Sequence, residues 1–224
     1  GNCLPVSDTM TVLLAKSPVV SAGADVTMCA NNVTPAALNG YFNYCLGANW
    51  SGGNGGAFGN TGSTSTTYTP SPADISSGQV LITYSSTASV FGCPNTIDSL
   101  YLFFTPAPVV NAGSNIVACA NTPKVPLNGA VSGGSSTGVW SSSGSGNFSP
   151  SSTNLNVFYN LSLADQAQSS LTLYLSSTGN GFCNSETDSI TLTITPAPAV
   201  NAGVDDTLCS NMGSIQLNGN VTAG

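Results

Sequence analysis

The sequence predicts an all-β protein made of tandem β-sandwich repeats of about 90 residues, arranged as an extended rod. Three observations support this prediction: an internal repeat, short strand-like segments between turn residues, and enough apolar residues for a core. Hydrophobic residues make up 41% of the chain and charged residues only 5%. A chain of this composition can bury a core and is not a disordered polar segment.

Landmark residues recur along the chain at intervals of 90. Six of the seven cysteines form two series with this interval: Cys3, Cys93 and Cys183, then Cys29, Cys119 and Cys209. Trp50 recurs as Trp140 at the same interval. Tyr68 and Asp74 recur as Tyr159 and Asp165 with a shift of one residue. Agreement at one fixed period indicates a tandem array.

The period divides the chain into four predicted segments. Residues 1–17 end a preceding repeat, residues 18–107 and 108–197 form two complete repeats, and residues 198–224 start a following repeat. We therefore expect the chain to be part of a longer protein. Thr-Pro-Ala-Pro segments join the repeats, and because proline favours an extended backbone, these joints are expected to be stiff.

Within each repeat the local pattern is that of β-strands. Segments such as 79–84 and 189–194 are short, rich in β-branched or aromatic residues, and bounded by turns such as 51–56. At most, residues 71–75 and their counterpart near Asp165 could form one helical turn. About seven short strands in each repeat are typical of an immunoglobulin-like sandwich.

The two tryptophans are candidates for the centre of that sandwich. Trp50 and Trp140 are the lone tryptophans of the two repeats and stand at equivalent places. A large aromatic residue that recurs in this way is expected between the two sheets. The alternative is an exposed aromatic contact.

The charge composition excludes several functions. The chain has two basic residues, Lys16 and Lys124, nine acidic residues, no histidine and a net charge of −7. Nucleic-acid binding needs a basic surface, and most catalytic triads and many zinc sites need histidine. The sequence contains no run of about 20 apolar residues, which is the length that a membrane-spanning helix needs. The acidic residues and glycine-rich loops match no glycosidase, calcium or phosphate motif, so we predict no catalytic residue, metal or cofactor.

The cysteine spacing indicates disulfides and an oxidising compartment. We expect disulfides within repeats, namely Cys29–Cys93 and Cys119–Cys183. In the chain-entropy model, each of these bonds stabilises the folded state by roughly 4 kcal/mol because it closes a long loop. Cys3 and Cys209 would then have partners outside this sequence. The alternative links cysteines across the joints, as Cys3–Cys29, Cys93–Cys119 and Cys183–Cys209. Cys45 has no counterpart in the second repeat and is expected to be unpaired within the chain, either as a small buried residue or as a thiol available for intermolecular bonding.

The pattern of each unit resembles a known type of repeat. It consists of Pro-x-Val-x-Ala-Gly, Cys-Ala-Asn, Leu-Asn-Gly, Trp-Ser, a glycine-rich turn with cysteine, and Asp-Ser before an apolar residue. It resembles the PKD-like and immunoglobulin-like tandem repeats of very large surface proteins of Bacteroidota, including gliding-type adhesins. The resemblance implies an extracellular, cell-surface location and export by the type IX route.

The resemblance also implies a modification. Proteins of that phylum are often O-glycosylated at Asp-Ser or Asp-Thr followed by an apolar residue. The hydroxyls at such positions are those of Thr9, Ser99, Ser189 and Thr207. In the alternative interpretation the aspartate only ends a hairpin and the hydroxyl faces solvent.

These observations favour a structural function. We expect a stalk or fibre segment of a large secreted adhesin or filament, without catalytic activity, whose partners are neighbouring repeats and identical chains in a fibre. One alternative is a module that binds surface glycans through loops 51–60 and 141–149. Another is a set of accessory repeats on a secreted hydrolase. The chain is expected to resist trypsin, which has few cleavage sites here, and to melt lower on reduction.

Overall fold

The computed structural model of the chain describes residues 1–88 and 92–222 and divides the chain into two units, Gly1–Pro106 and Ala107–Gly224. Both units are β-sandwiches with one short helix each, so the predicted all-β, tandem immunoglobulin-like fold is confirmed. The finer division at residues 17, 107 and 197 stays a prediction. Three residues of the predicted repeat 18–107 and the last two of segment 198–224 lie outside the described residues.

Residues 1–17 form no helix or strand. The elements that follow in the described part of the first unit are β1 (Val19–Ser21), β2 (Val26–Cys29), β3 (Ala36–Asn39), β4 (Tyr41–Asn43), β5 (Ala48–Gly52), β6 (Ala57–Phe58), β7 (Ser65–Thr69), α1 (Pro72–Ser76), β8 (Gln79–Ser86) and β9 (Ile97–Thr105).

The first unit has a four-stranded sheet in the order β2-β9-β8-β5 and a three-stranded sheet in the order β3-β7-β6, with β1 paired to β4. Strand β2 runs parallel to β9, so that Cys29 lies opposite Thr105, whereas the other pairs are antiparallel. The largest fully enclosed side chains of its core are Leu38, Trp50, Tyr68, Ile82, Tyr84, Leu100 and Leu102.

The second unit repeats this arrangement. Its described elements are β10 (Pro108–Asn111), β11 (Ile116–Cys119), β12 (Lys124–Asn128), β13 (Ala130–Gly133), β14 (Thr137–Ser142), β15 (Asn147–Ser149), β16 (Asn156–Asn160), α2 (Leu163–Gln166), β17 (Ser170–Thr178), β18 (Thr187–Thr195), β19 (Ala199–Asn201) and β20 (Asn220–Thr222). The sheets have the orders β11-β18-β17-β14, β12-β16-β15 and β10-β13, with β11 parallel to β18. Strands β19 and β20 pair as β10 and β13 do: Val200 lies opposite Val221 as Val110 lies opposite Val131.

The long strands form because apolar and polar residues alternate along them. In β17 the side chains of Leu171, Leu173 and Leu175 are buried, whereas those between them are less so. The tryptophans are in the core, as predicted: Trp50 and Trp140 are each 2% exposed. Their indole nitrogens donate hydrogen bonds to backbone carbonyl oxygens at 2.9 and 3.1 Å, which satisfies the only polar atom of each ring.

The predicted helical turns are also present. Each begins with a capping box in which a serine hydroxyl accepts a hydrogen bond from the backbone of an aspartate three residues later. Ser71 and Asp74 form this box in α1, and Ser162 and Asp165 form it in α2. The turn fixes the direction of each aspartate side chain, which points into the sandwich and is fully buried.

Candidate functional sites: a buried tyrosine–aspartate brace and the cysteines at the sandwich ends

Each unit contains a buried tyrosine that donates a hydrogen bond to a buried aspartate, and we call this pair the brace. The hydroxyl of Tyr68 lies 2.8 Å from Oδ2 of Asp74, and the hydroxyl of Tyr159 lies 2.9 Å from Oδ2 of Asp165. All four residues are fully buried. The sequence showed that both residues recur, but not that they meet. A Ser-x-x-Asp capping pattern begins three residues after each tyrosine, and it is the sequence signal that could have revealed the contact.

Backbone N–H groups complete the coordination of each carboxylate. Asp74 accepts from the N–H of Asn54 at 2.6 Å and of Ser71 at 2.8 Å. Asp165 accepts from the N–H of Ser145 at 2.8 Å and of Ser162 at 3.1 Å. Each brace therefore ties the glycine-rich loop to the helical turn and to the strand that carries the tyrosine.

These donors set the protonation states of the brace. Burial alone would raise the pKa of Asp74, but the N–H and O–H groups of Ser71, Tyr68 and Asn54 outweigh burial and lower that pKa. The pKa of Asp165 is lowered in the same way. Burial and the adjacent carboxylate raise the pKa of Tyr68 to about 12, because ionising the phenol would remove its hydrogen and place two negative charges together. At neutral pH each brace is a carboxylate that accepts from a neutral phenol.

The glycine-rich loops lie directly on the brace. A Cβ at Gly53 or Gly56 would collide with the Tyr68 hydroxyl, and Gly53 has a φ of +83°. In the second unit a Cβ at Gly144 or Gly146 would collide with Tyr159 and Asp165. The need for glycine in these loops is therefore explained by packing within the sandwich.

The aromatic residues beside these loops also face inward. The ring of Phe58 lies against Tyr68 at 4.7 Å between centroids, and the ring of Phe148 lies against Tyr159 at 5.0 Å. Both phenylalanines are half-buried, and the neighbouring tryptophans are buried. Loops 51–60 and 141–149 thus direct these rings toward the core.

Two of the three cysteines of the first repeat, Cys29 and Cys93, lie at opposite ends of its sandwich. Cys29 is the last residue of β2, and its Sγ is 3.8 Å from the carbonyl oxygen of Pro106. Cys93 precedes the first residue of β9, and its Sγ is 3.9 Å from the carbonyl oxygen of Lys16. Cys29 is therefore beside the segment that leaves the unit, and Cys93 is beside the segment that enters it.

This placement overturns the predicted bond between Cys29 and Cys93. Strand β9 extends from Ile97 to Thr105, about 26 Å at 3.3 Å per residue, and Cys29 lies opposite its far end. The four residue steps from Cys93 to Ile97 recover at most about 14 Å, whereas a disulfide requires Cα atoms within about 7 Å. Among the described residues Cys93 is a free thiol, and Cys29 is disulfide-bonded.

The second unit has the same geometry, and the predicted Cys119–Cys183 bond is also wrong. Cys119 lies opposite Thr195 at the end of β18, with its Sγ 3.6 Å from the carbonyl oxygen of Pro196. Cys183 precedes the start of β18. Cys119 is free in the described structure and Cys183 is disulfide-bonded.

The alternative pairs across the joints fail as well. Each of them includes a cysteine that is free in the described part of the chain, namely Cys3, Cys93, Cys119 or Cys209. Cys45 is a free thiol that is half-buried. The 90-residue period located these cysteines, but their distances in sequence did not identify the bonded ones.

The hydroxyls proposed for glycosylation are exposed, and the aspartates before two of them have structural roles. Asp98 and Asp188 accept hydrogen bonds at 2.8 Å from the N–H groups of Ala22 and Ala112, which follow β1 and β10. The four residues with exposed hydroxyls are Thr9, Ser99, Ser189 and Thr207. Asp98 and Asp188 are thus explained by the fold, and the glycans stay a prediction.

Residues 1–88 and 92–222 contain no group of three or more metal-ligating side chains placed to hold an ion. Within the same residues, no helix has the length and apolar character needed to cross a membrane.

No protein-family model matches the sequence, and no curated protein matches it either. Several solved multi-domain structures are similar to the chain in fold. A three-domain immunoglobulin fragment of titin gives a TM-score of 0.48 at 14% identity, covering 81% of this chain and 67% of that one. Immunoglobulin domains 1–5 of Sidekick-1 give 0.44 at 16% identity, covering 86% and 42%. Drosophila N-cadherin domains give 0.47 at 14% identity, covering 81% and 50%.

This chain spans half or less of the Sidekick-1 and N-cadherin fragments. At these identities the similarity concerns the fold alone. By its own strand pairing, the chain is a tandem set of immunoglobulin-like β-sandwich units.

Proposed function

We propose that the chain is a load-bearing spacer segment of a large secreted bacterial surface adhesin or extracellular filament. It acts outside the cell, carries no catalytic activity of its own and, in line with the Bacteroidota-type repeat pattern, leaves the cell by the type IX route. Two sandwiches of the same topology within one chain, each with the same internal brace, support a function in which one unit is simply repeated.

The observation on which the proposal depends is the parallel pairing of the first and last strands of the larger sheet. Strand β2 is the first strand of that sheet in the first unit, β9 is the last, and they lie side by side. A pull on the two ends of the unit draws parallel neighbours in opposite directions along their length. Their hydrogen bonds are then loaded together in shear, instead of opening one after another. The pairing of β11 with β18 repeats this geometry.

A side chain extends each of these parallel pairs by one hydrogen bond. Asp25 precedes β2 and accepts from the N–H of Tyr101 at 2.7 Å. Asn115 precedes β11 and accepts from the N–H of Thr191 at 2.9 Å. An acid in one unit and an amide in the other place an oxygen at the same point, so the acceptor matters there more than the charge.

Single-molecule pulling from the two ends of the chain tests the proposal. We expect two unfolding events with clear force peaks, and a lower force for the first unit in the variant Asp25→Ala. Ser51→Ala is the matched control, since it removes a 2.7 Å hydroxyl contact with Thr83 between β5 and β8, away from the loaded pair. Extension without force peaks, or an equal loss of force in both variants, contradicts the load-bearing role.

We further propose that the exposed hydroxyls of Thr9, Ser99, Ser189 and Thr207 carry O-linked glycans in the native protein. Ser99 and Ser189 occupy outward-facing positions of β9 and β18, where a sugar has room. Mass spectrometry of protein isolated from its source is expected to show added hexose-type masses on these peptides. Unmodified peptide masses would contradict this part of the proposal.

A further inference from the structure

The recurring cysteines are of two kinds according to their place in the sandwich. An end cysteine closes the first strand of the four-stranded sheet and lies beside the chain that leaves the unit, as Cys29 and Cys119 do. A hairpin cysteine precedes the last strand, as Cys93 and Cys183 do. The hairpin cysteine of the first unit lies beside the chain that enters it.

Cys209 belongs to the first kind by its local backbone. The N–H three residues after each end cysteine donates to that cysteine's carbonyl oxygen, at 3.0 Å for Cys29 and 2.8 Å for Cys119. The same turn follows Cys209, where the N–H of Met212 donates at 2.9 Å. This shared turn supports the prediction that residues 198–224 start another repeat with its own end cysteine.

The end and hairpin cysteines of one unit cannot reach each other across the length of β9 or β18, so neither is the disulfide partner of the other. One end cysteine, Cys29, and one hairpin cysteine, Cys183, are already bonded. Among the described residues, one end cysteine, Cys119, and one hairpin cysteine, Cys93, are free thiols. Both are half-buried, and each lies beside a chain segment that leads out of its unit.

We propose that Cys119 and Cys93 are halves of disulfides to further repeats of the same protein. Cys119 bonds to the hairpin cysteine of the repeat that starts near residue 198, and Cys93 bonds to the end cysteine of the repeat before the first unit. This inference depends on the proposed membership in a longer repeat array, but not on its load-bearing role.

The bond forms by thiol–disulfide exchange with a small-molecule disulfide of the oxidising compartment. The Cys119 thiolate attacks that disulfide, one small thiol leaves, and the hairpin thiolate then displaces the second. Two cysteine thiols are oxidised and one small disulfide is reduced to two thiols. The resulting disulfide joins two successive repeats, which are otherwise covalently connected only by the backbone of the proline-rich segment around Pro196.

Extending the chain tests the C-terminal bond. Residue 224 corresponds to residue 134, so adding a copy of residues 135–197 after Gly224 completes the next repeat. After oxidation with oxidised glutathione and non-reducing digestion, we expect a cross-linked peptide that joins Cys119 to the added copy of Cys183. We expect Cys119 to react with maleimide in the original chain and to lose that reactivity in the extended one.

A matched variant with serine at the added copy of Cys183 is the control, and in it we expect Cys119 to react again. The fluorescence of the added tryptophan should have its emission maximum at the short wavelength typical of a buried indole, and this verifies that the new repeat folds. Continued reaction of Cys119 in the folded, oxidised extended chain overturns the proposal, and so does a bond from Cys119 to any other cysteine.

An N-terminal extension tests the other bond independently. A copy of residues 18–90 placed before Gly1 completes the preceding repeat and supplies a copy of Cys29. We expect this copy to bond to Cys93. Free Cys93 in the folded product, or a bond between the copy and Cys3, overturns the assignment for this end, whereas the pulling experiment above is unaffected by either result.

Discussion

The two units have the same strand order but differ at one buried position beside the tryptophan. In the first unit Trp50 lies opposite Tyr84, with 4.3 Å between the ring centroids, and in the second Trp140 lies opposite Leu175. The hydroxyl of Tyr84 is buried without a hydrogen-bond partner in the described structure. This position therefore requires an apolar volume and gains nothing from the oxygen.

The brace shows the opposite behaviour. Tyr68 and Tyr159 are present at equivalent places, and each hydroxyl donates to a buried carboxylate that also holds a loop. The comparison teaches that a polar atom in these cores matters where it has partners and is dispensable where it has none. Four measurements test this difference between the two buried positions.

The largest effect is expected on removing the carboxylate of a brace. Asp74→Ala leaves the O–H of Tyr68 and the N–H groups of Ser71 and Asn54 buried without an acceptor, so we expect a loss of about 4 kcal/mol in the unfolding free energy of the first unit. Asp165→Ala should do the same in the second unit. Hydrogen-exchange mass spectrometry separates the units through peptides from β8 and β17.

The exposed Asp205 supplies the control, because Asp205→Ala should change stability by less than about 0.5 kcal/mol. A brace variant that costs less than about 1 kcal/mol, or that weakens both units equally, would contradict the role assigned to the carboxylate.

A smaller effect is expected from filling the space that the loop needs above the brace. Gly53→Ala adds a Cβ that collides with the Tyr68 hydroxyl, and we expect a loss of about 3 kcal/mol. Gly78 is a matched control, since its φ of +77° is similar to that of Gly53 but a Cβ there has open space. Gly78→Ala should cost about 1 kcal/mol by backbone strain alone. Equal losses in chemical denaturation would show that the collision does not matter.

The stability of both units is expected to fall at acid pH and also at alkaline pH, because burial and the adjacent aspartate raise the pKa of Tyr159 as they do that of Tyr68. The lowered pKa values of Asp74 and Asp165 contribute stability that is present above about pH 4 and is lost as the pH falls through the folded-state values. The raised pKa of Tyr68 contributes stability that is present below about pH 10 and is lost as the pH rises toward 12.

Thermal unfolding across the pH range checks both limbs. In Tyr68→Phe the alkaline loss of the first unit should shrink, because phenylalanine cannot ionise. Persistence of the full alkaline loss in that variant would assign it to other groups.

The smallest effect is expected at Tyr84, and its sign is reversed. Tyr84→Phe removes a buried hydroxyl that has no partner, so we expect the first unit to gain up to about 1 kcal/mol. The paired control is Tyr68→Phe, which removes a hydroxyl that donates to Asp74 and should cost about 2 kcal/mol. Denaturant unfolding of the two variants should therefore shift in opposite directions. A loss in both would mean that the Tyr84 hydroxyl does contribute to stability.

Much of the fold could be predicted from the sequence because it depends on local patterns. The alternation in strands such as 189–194 and the short segment 71–75, with its counterpart near Asp165, each involve residues near one another in the chain. The burial of Trp50 and Trp140 followed from their recurrence at equivalent places 90 residues apart. These signals predicted the sandwich, its core and the two helical turns.

The site could be predicted only in part. The tyrosine and aspartate of each brace recur visibly, but their contact depends on how the helical turn after β7 or β16 directs the aspartate inward. The same tertiary contact explains why Gly53 and Gly144 must be glycine. From the sequence, these loops were candidates for ligand binding only in the alternative to a structural function.

What the sequence determined by itself is therefore the repeat, the strands and the chemical character of each position. Only the tertiary structure decided which cysteines can bond. A spacing of 64 residues measures the length of a loop, but not the direction of its strands. Because β2 runs parallel to β9, Cys29 and Cys93 are carried to opposite ends of one sandwich, and strand direction is a property of the folded sheet.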